Sequence, residues 1–442
     1  MKSPVDNLLE VAYGILQDVR MAYPEYEDGS QRDAARLTSC ARTRGIGLFC
    51  LDLPHLDSLL TEGIRFGRLR LHGPLTRTWK KSYPVPQLYA GLWVRVFDSS
   101  LCLKHDFDVN AVLMLRQLCC LGKKVQLTCT PKRLYAAMEA FHDIEAKMVP
   151  PTLKWKADNL DPDGIGTRLH LRDGLDTDLP LFPGNQGYES IRNVIERVQQ
   201  TADFLSNAIG PFEPISYSDE RYSEGYGSGF KHGPGAVAER TGIVDKYHHP
   251  YWTAKLEEWF PFRECGARSF NDDHTPINHE PASRIIAVPK TAKGPRLIAA
   301  EPTSHQWCQQ LILDFLKRRF RSMFGESFIT LGNQGHSRRM ALQASLDESL
   351  ATIDLSSASD RLSCWAVERA LRHNRLLLHA LHSCRTRYAK DSILPNASWV
   401  GLKKFASQGT AVTFPVQSLF FLMVAIGCCL DERPSWRAIN AL

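Results

Sequence analysis

Apolar and polar positions alternate with a helical period over most of the chain, and a few short β-rich runs are confined to its last third. The opening stretch, "MKSPVDNLLEVAYGILQDVRMAYP", reads as an amphipathic helix and lacks the continuous apolar centre of a signal peptide. Up to about residue 90 short helical patterns mix with turns and carry no identifiable chemistry. "DVNAVLMLRQLCCLGKKV" and "TPKRLYAAMEAFHDIEAKM" predict a helical hairpin between residues 100 and 150, the second helix opening on a Thr-Pro start signal. Residues 150–190, rich in Pro, Gly and Asp, read as a long loop or linker. "YESIRNVIERVQQTADFLSNAIG" is a further amphipathic helix. The glycine-dense "YSEGYGSGFKHGPGAVAE" at 222–239 follows it. No G-K-[ST] ends that run, so it is not a P-loop. An ordinary loop and a phosphate-cradling loop both fit its composition.

From residue 284 the pattern changes. "SRIIAVPK" and "PRLIAAEP" flank the turn "TAKG" and predict a β-hairpin. "SHQWCQQLILDFLKRRFRSMF" predicts a long helix, "ESLATID" a strand, and "RLSCWAVERALRHNRLLLHALHSC" a helix of about six turns. "SWVGLKKFASQGTAVTFPVQSLFFLMVAIGCC" predicts a short strand, a glycine-containing loop and an apolar helix. Short strands alternating with long helices define an α+β fold with a helix-rich N-terminal region. The most apolar run, residues 419–430, is shorter than the roughly twenty residues a bilayer requires and predicts a buried helix.

With 442 residues the chain exceeds one compact core. The reading divides it into an N-terminal helical region (1–220), a middle region with the basic hairpin (221–345) and a C-terminal region (346–442). The net charge of +6 is mild but unevenly spread. Residues 284–340 hold ten Lys/Arg against three Asp/Glu, which leaves the rest of the chain near neutral. Such a block suits a phosphate-bearing partner, although "KRRFRS" at 317–322 also fits a solvated helix face. The twelve cysteines form no C-x-x-C pair, so zinc-finger spacing is absent and reduced thiols in a cytoplasm are expected.

Three stretches carry candidate chemistry. Lys290, Lys293 and Arg296 sit three apart around the hairpin turn, a spacing that can aim three cations at a triphosphate. A basic hairpin tip in water is the plainer alternative. In "LATIDLSSASDRLS" at 350–363, Ser357, Ser359 or Asp360 can cap the following helix. Asp354, at the end of an expected buried strand, is not explained by capping. A divalent cation or a basic partner would offset the cost of burying it. In "ASQGTAVTFPVQSLFF", Ser407, Gly409 and Thr413 fit either a sugar- or phosphate-contacting loop or a plain turn with Thr413 as N-cap.

Together the three stretches resemble motifs F, A and B of viral RNA-directed RNA polymerases, most closely the replicase catalytic subunit of the single-stranded RNA bacteriophages (leviviruses). "AVPKTAKGPRLIAAEP" resembles the family's V-P-K-x-x-K-x-x-R-x-I-A-x-E-P, "LATIDLSSASDRLS" its motif A, and "SQGTAVTFPVQSLFF" its S-x-G-x-x-x-T-F pattern. The likeness is strong over 284–421 and weaker back to about 100, through "FKHGPGA". It implies a right-hand polymerase with fingers and palm, acting by two-metal phosphoryl transfer with magnesium, or manganese in its place. It implies that Asp354 binds the catalytic ions and that Asp360 lies near the incoming ribose. Lys290, Lys293 and Arg296 would hold the nucleoside triphosphate, and Ser407, Gly409 and Thr413 would contact template and nucleotide. The implied partners are template and product RNA, nucleoside triphosphates, host elongation factors Tu and Ts and a ribosomal protein, in the cytoplasm of a bacterial host and away from membranes.

Two departures qualify the resemblance. Gln417 stands where many such polymerases place Asn, which leaves ribose recognition open. No G-D-D occurs anywhere, and the only Asp pair, Asp272–Asp273, precedes the hairpin and lacks flanking apolar strands. The expectation is an N-terminal replicase fragment without motif C, the rest of the palm or the thumb, inactive by itself. A non-catalytic RNA-binding protein with a degenerate polymerase fold is the alternative. A reverse transcriptase fits less well, because its motif A needs a bulky residue near the ribose.

Overall fold

Two hydrophobic cores organise the chain. In the computed structural model the described residues are 3–153, 155–157, 166–169, 189–239, 246–247, 249, 251–267, 280–292, 294–325, 327–394 and 398–442. One compact unit comprises Met1–Ala137 with Ala287–Arg296, and the other Met138–Ile286 with Leu297–Leu442.

The first unit contains α1 (Pro4–Ala22), α2 (Glu27–Arg44), α3 (Leu53–Arg65), the strand pair β1 (Thr78–Lys80) and β2 (Tyr83–Pro86), α4 (Ala90–Val96) and α5 (Val109–Cys120). A capping box starts α1: Ser3 accepts from the Asp6 N–H, and the Asp6 carboxylate accepts from the Ser3 N–H. Leu16, Leu37, Leu56, Trp93, Phe97 and Leu115 are buried together. The helices of 4–65 are longer than the mixed pattern suggested. In α2 few apolar positions, Leu37 and Ala41 among them, face the core, so its amphipathic signal is weak. The two helices expected at 100–150 both form, but not as a packed hairpin. α5 lies against α3 and α4, whereas α6 (Pro131–Lys147) sends Met138 and Phe141 into a core of the second unit.

The second unit begins at Met138 within α6 and continues with the antiparallel pair β3 (Trp155–Ala157) and β4 (Gly166–Leu169). Within the linker expected over 150–190, residues 154, 158–165 and 170–188 lie outside the described residues. Then come α7 (Glu189–Ile209), α8 (Pro214–Ser223), α9 (Ala254–Trp259) and α10 (Phe262–Cys265). The expected hairpin is β5 (Ser283–Thr291) and β6 (Gly294–Ala300), followed by the long helix α11 (Thr303–Phe324) and by α12 (Gly335–Asp347). After α13 (Ala358–Arg361), α14 (Cys364–Ala370) and α15 (Arg375–Cys384), β7 (Tyr388–Asp391) and β8 (Ser398–Gly401) complete a sheet of order β6-β5-β7-β8. β7 runs parallel to β5 and antiparallel to β8. The apolar helix α16 (Thr413–Cys429) packs along α7, and α17 (Trp436–Asn440) ends the chain described. Gly427 permits that packing, because a Cβ there would stand 2.5 Å from Val198 Cα. Among the described residues no helix is long and apolar enough to cross a membrane.

Two sequence expectations fail here. The six-turn helix over 361–384 is two helices, α14 and α15. Between them Asn374 accepts from the Leu377 N–H and donates its amide to the Ser206 and Gly210 carbonyls. That tertiary bond set replaces about one helical turn, residues 371–374, with a bend. The strand expected over 348–354 is irregular and exposed, with Ile353 84% accessible. An apolar run becomes a strand only where a neighbour completes its ladder, and no described strand pairs with it.

A buried ionic network holds the second unit together. The Lys255 ammonium donates to Glu280 (2.8 Å) and to the Arg385 carbonyl (2.6 Å). Glu280 also accepts from the Arg387 N–H (2.8 Å) and its guanidinium. Arg385 in turn donates to the carbonyls of Leu402, Lys404 and Phe405. Burial favours the neutral Glu280 carboxyl, but the charges of Arg387 and Lys255 outweigh it and hold the group well below the usual carboxylate range. Burial brings Lys255 down to about 8 despite Glu280. A second buried cluster, Cys364, Glu368 and His382, pins the chain at 152–153. Both Glu368 oxygens accept backbone N–H groups there, from Thr152 and Leu153, which accounts for its burial.

Candidate functional site

The segment after Asp360 and the segment before Ser407 lie side by side. Ser363 and Lys404 form an antiparallel bridge, with the Cys364 N–H on the Lys403 carbonyl and the Phe405 N–H on the Leu362 carbonyl (both 2.8 Å). Asp360, on the short α13, accepts from the Lys404 ammonium at 2.9 Å. The helix cap is neither Ser357, Ser359 nor Asp360. Ser357 sits in the left-handed region (φ 53°) without a capping bond, and Ser363 caps α14 by accepting from the Ala366 N–H. Asp354 is exposed and has no hydrogen bond or ion pair among the described residues. The desolvation cost expected of a carboxylate ending a buried strand is therefore absent.

The loop from Ser407 to Thr413 is fixed from beneath. The Ala299 N–H donates to the Gln408 carbonyl (2.8 Å), tying the loop to the end of β6. Thr410 donates to Glu301 (3.0 Å), and Gln309 accepts from the Ala411 N–H. Thr413 is not the N-cap, a position held by Val412; its hydroxyl donates to the Ser407 carbonyl at 2.7 Å. The Ser407 hydroxyl is buried with no partner among the described residues. Gly409 is required where it stands. Its φ is +111°, and a Cβ would meet the Ala299 carbonyl oxygen at 2.3 Å. Gly409→Ala is expected to cost about 2–4 kcal/mol through backbone strain and overpacking, measurable by urea denaturation of this chain.

Glu301 is a residue that sequence reasoning passed over, although it lies within the quoted hairpin stretch. It is buried, and it also accepts from Thr386 and Gln309. Burial pushes its carboxyl up, against the lowering effect of those hydrogen bonds. Lys404 and Glu145 were passed over too, since neither stands in an informative pattern. The quoted E-P pair was the one local signal that pointed to any of them.

Lys290 and Arg296 are exposed on the distal part of the hairpin, and neither makes an ion pair among the described residues. Lys293 lies outside the described residues, as does the Asp272–Asp273 pair. Residues 287–296 group with the first unit, and Asp354, Asp360 and the 407–413 loop with the second. The basic block is partly structural: Arg318 pairs with Glu224 at 2.6 Å, and Arg319 donates to the Ala208 carbonyl. The glycine-dense loop packs on α11. Phe230 stacks on Trp307, His232 bonds Gln306, and Lys246 takes the Gly233 and Gly235 carbonyls. These contacts support the plain-loop reading of that stretch.

The second unit is thus an α+β unit in which the Asp360 segment pairs beside the chain that leads into the Ser407–Thr413 loop. The RNA replicase, beta-chain family profile matches residues 201–433, more than half of the sequence, and the chain belongs to that family. Similar proteins include the RNA-directed RNA polymerase subunit beta of Enterobacteria phage SP, 34% identical over 198 residues. That alignment spans 43% of this chain and 33% of the relative. The subunit beta of Escherichia virus Qbeta is 35% identical over 150 residues, 34% of this chain and 24% of the relative. The RNA-directed RNA polymerase beta chain of Enterobacteria phage GA is 26% identical over 232 residues, 52% and 42%. The aligned stretches thus span well under half of these relatives' length. The family agrees with the levivirus resemblance of the three motifs.

Proposed function

We propose that this chain supplies the fingers and the first part of the palm of a right-hand RNA-directed RNA polymerase. The observation that carries the reading is the antiparallel pairing at Ser363 and Lys404, which brings the Asp360 segment beside the chain leading into the Ser407–Thr413 loop. Lys290, Lys293 and Arg296 neutralise the triphosphate, and Asp360 meets the ribose 2′-OH. Ser407, Gly409 and Thr413 line the template and nucleotide path. The primer 3′-OH attacks the α-phosphate, and pyrophosphate leaves. Asp354 fits a magnesium ligand: it is a hard oxygen donor, solvent-accessible and uncommitted among the described residues. Magnesium, when bound, stabilises the attacking and leaving oxygens. Asp354 alone does not complete the ligand sets of two ions, so the reading calls for a second carboxylate set of G-D-D type, a spelling these 442 residues lack. RNA and nucleoside triphosphates are the proposed ligands. Host translation factors are the proposed co-subunits, in line with the relatives' "subunit beta" names.

The 442-residue chain alone is therefore expected to incorporate no nucleotide on a primed RNA template with magnesium and NTPs. Template-dependent synthesis by that chain would refute the need for an outside carboxylate set. The exposed, uncommitted Asp354 also suits a non-catalytic RNA-binding protein. If the chain continued through a G-D-D hairpin (hereafter the complete replicase) is equally inactive, that second reading replaces the first.

A further inference from the structure

We infer that Lys404 is a positioning residue for sugar selection, holding the Asp360 carboxylate in one orientation toward the nucleotide. This rests on the polymerase reading above. Lysine is among the residues least often buried, yet the Lys404 side chain is 0% exposed. Burying an ammonium is costly unless it is paired. Its head lies 3.7 Å from the centroid of the Phe141 ring, 3.4 Å from Glu145 Oε1 and 2.9 Å from Asp360 Oδ1.

The two carboxylates differ in what else they do. Glu145, on α6, is buried, and its other oxygen accepts the Lys403 N–H at 2.6 Å and the Lys404 N–H at 3.4 Å. It is committed to holding the chain at 403–404. Asp360 keeps its side chain 24% exposed, and its Oδ2 accepts no hydrogen bond among the described residues. The lysine therefore fixes one oxygen of Asp360 and leaves the other for a ligand. A carboxylate locked at one oxygen cannot turn to satisfy itself when the ligand lacks a hydroxyl. Sites built to bond a substrate hydroxyl reject the analogue without it far better than apolar pockets do.

The test compares kcat/KM for GTP and dGTP in the complete replicase carrying K404M or D360A. K404M is expected to lower the GTP-to-dGTP preference by at least about tenfold, through loss on GTP with dGTP little changed. Equal losses on both nucleotides would mean that Lys404 is merely structural and would overturn the inference. If D360A lowers the preference and K404M does not, the lysine assignment alone falls. If D360A leaves the preference unchanged, the Asp360 reading falls and the lysine assignment with it. Should K404M fail to fold because it strands Glu145, the E145Q/K404M pair removes that buried charge and is judged by the same ratio.

Discussion

Asp354→Ala in the complete replicase is expected to abolish RNA synthesis while leaving fold and RNA binding in place. The two halves of that expectation have separate grounds. Stability should change by no more than about 0.5 kcal/mol, because the Asp354 side chain is exposed and supports no contact among the described residues. Synthesis should fall at least about a thousandfold, since losing a metal ligand forfeits several kcal/mol of transition-state stabilisation. Incorporation of labelled nucleotide on a primed template, with filter binding of RNA and a thermal melt on the same preparation, checks all three. A variant that polymerises normally would refute the motif A assignment. Equal loss of RNA binding would mean that the residue acts on template rather than on chemistry.

Glu280→Gln should destabilise the second unit by about 3–5 kcal/mol. The reason is what it leaves behind. Lys255 and Arg387 remain buried, with their common counter-charge gone. The damage should reach the candidate site, because Lys255 is bonded to the Arg385 carbonyl and Arg385 clamps residues 402–405. Denaturant titration of the 442-residue chain measures the loss. The pH dependence has a definite sign. Glu280 is depressed in the folded state, so its contribution is present above the usual carboxylate range and is lost as pH falls below it. Glu280→Gln should therefore flatten that part of the acid limb of the stability profile. Unchanged stability at neutral pH would show that the network carries no net weight.

Much of this protein was legible locally. The β5–β6 hairpin and the helices α7, α11 and α16 follow from period and turn residues, because their signals reside within twenty or so consecutive positions. The motif spellings around Asp354, Gly409 and Lys290 pointed to the replicase family that the comparison bears out. Helix and strand boundaries were less legible wherever a distant group competed. The bend at Asn374 depends on carbonyls at Ser206 and Gly210, more than 160 residues away in sequence. The apolar run at 350–354 has strand propensity, but a ladder needs a second strand, and propensity cannot supply one.

By itself the sequence determined the family, the basic hairpin and most of the long helices, since these are properties of neighbouring residues. Only the tertiary structure decided that Lys404 joins Glu145 to Asp360, and that Glu301 props the 407–413 loop. Only the folded structure, too, gave Gly409 a backbone wall where a side chain would stand. A buried charge is tolerated only where opposite charge meets it in space, and chain order does not state which groups will meet.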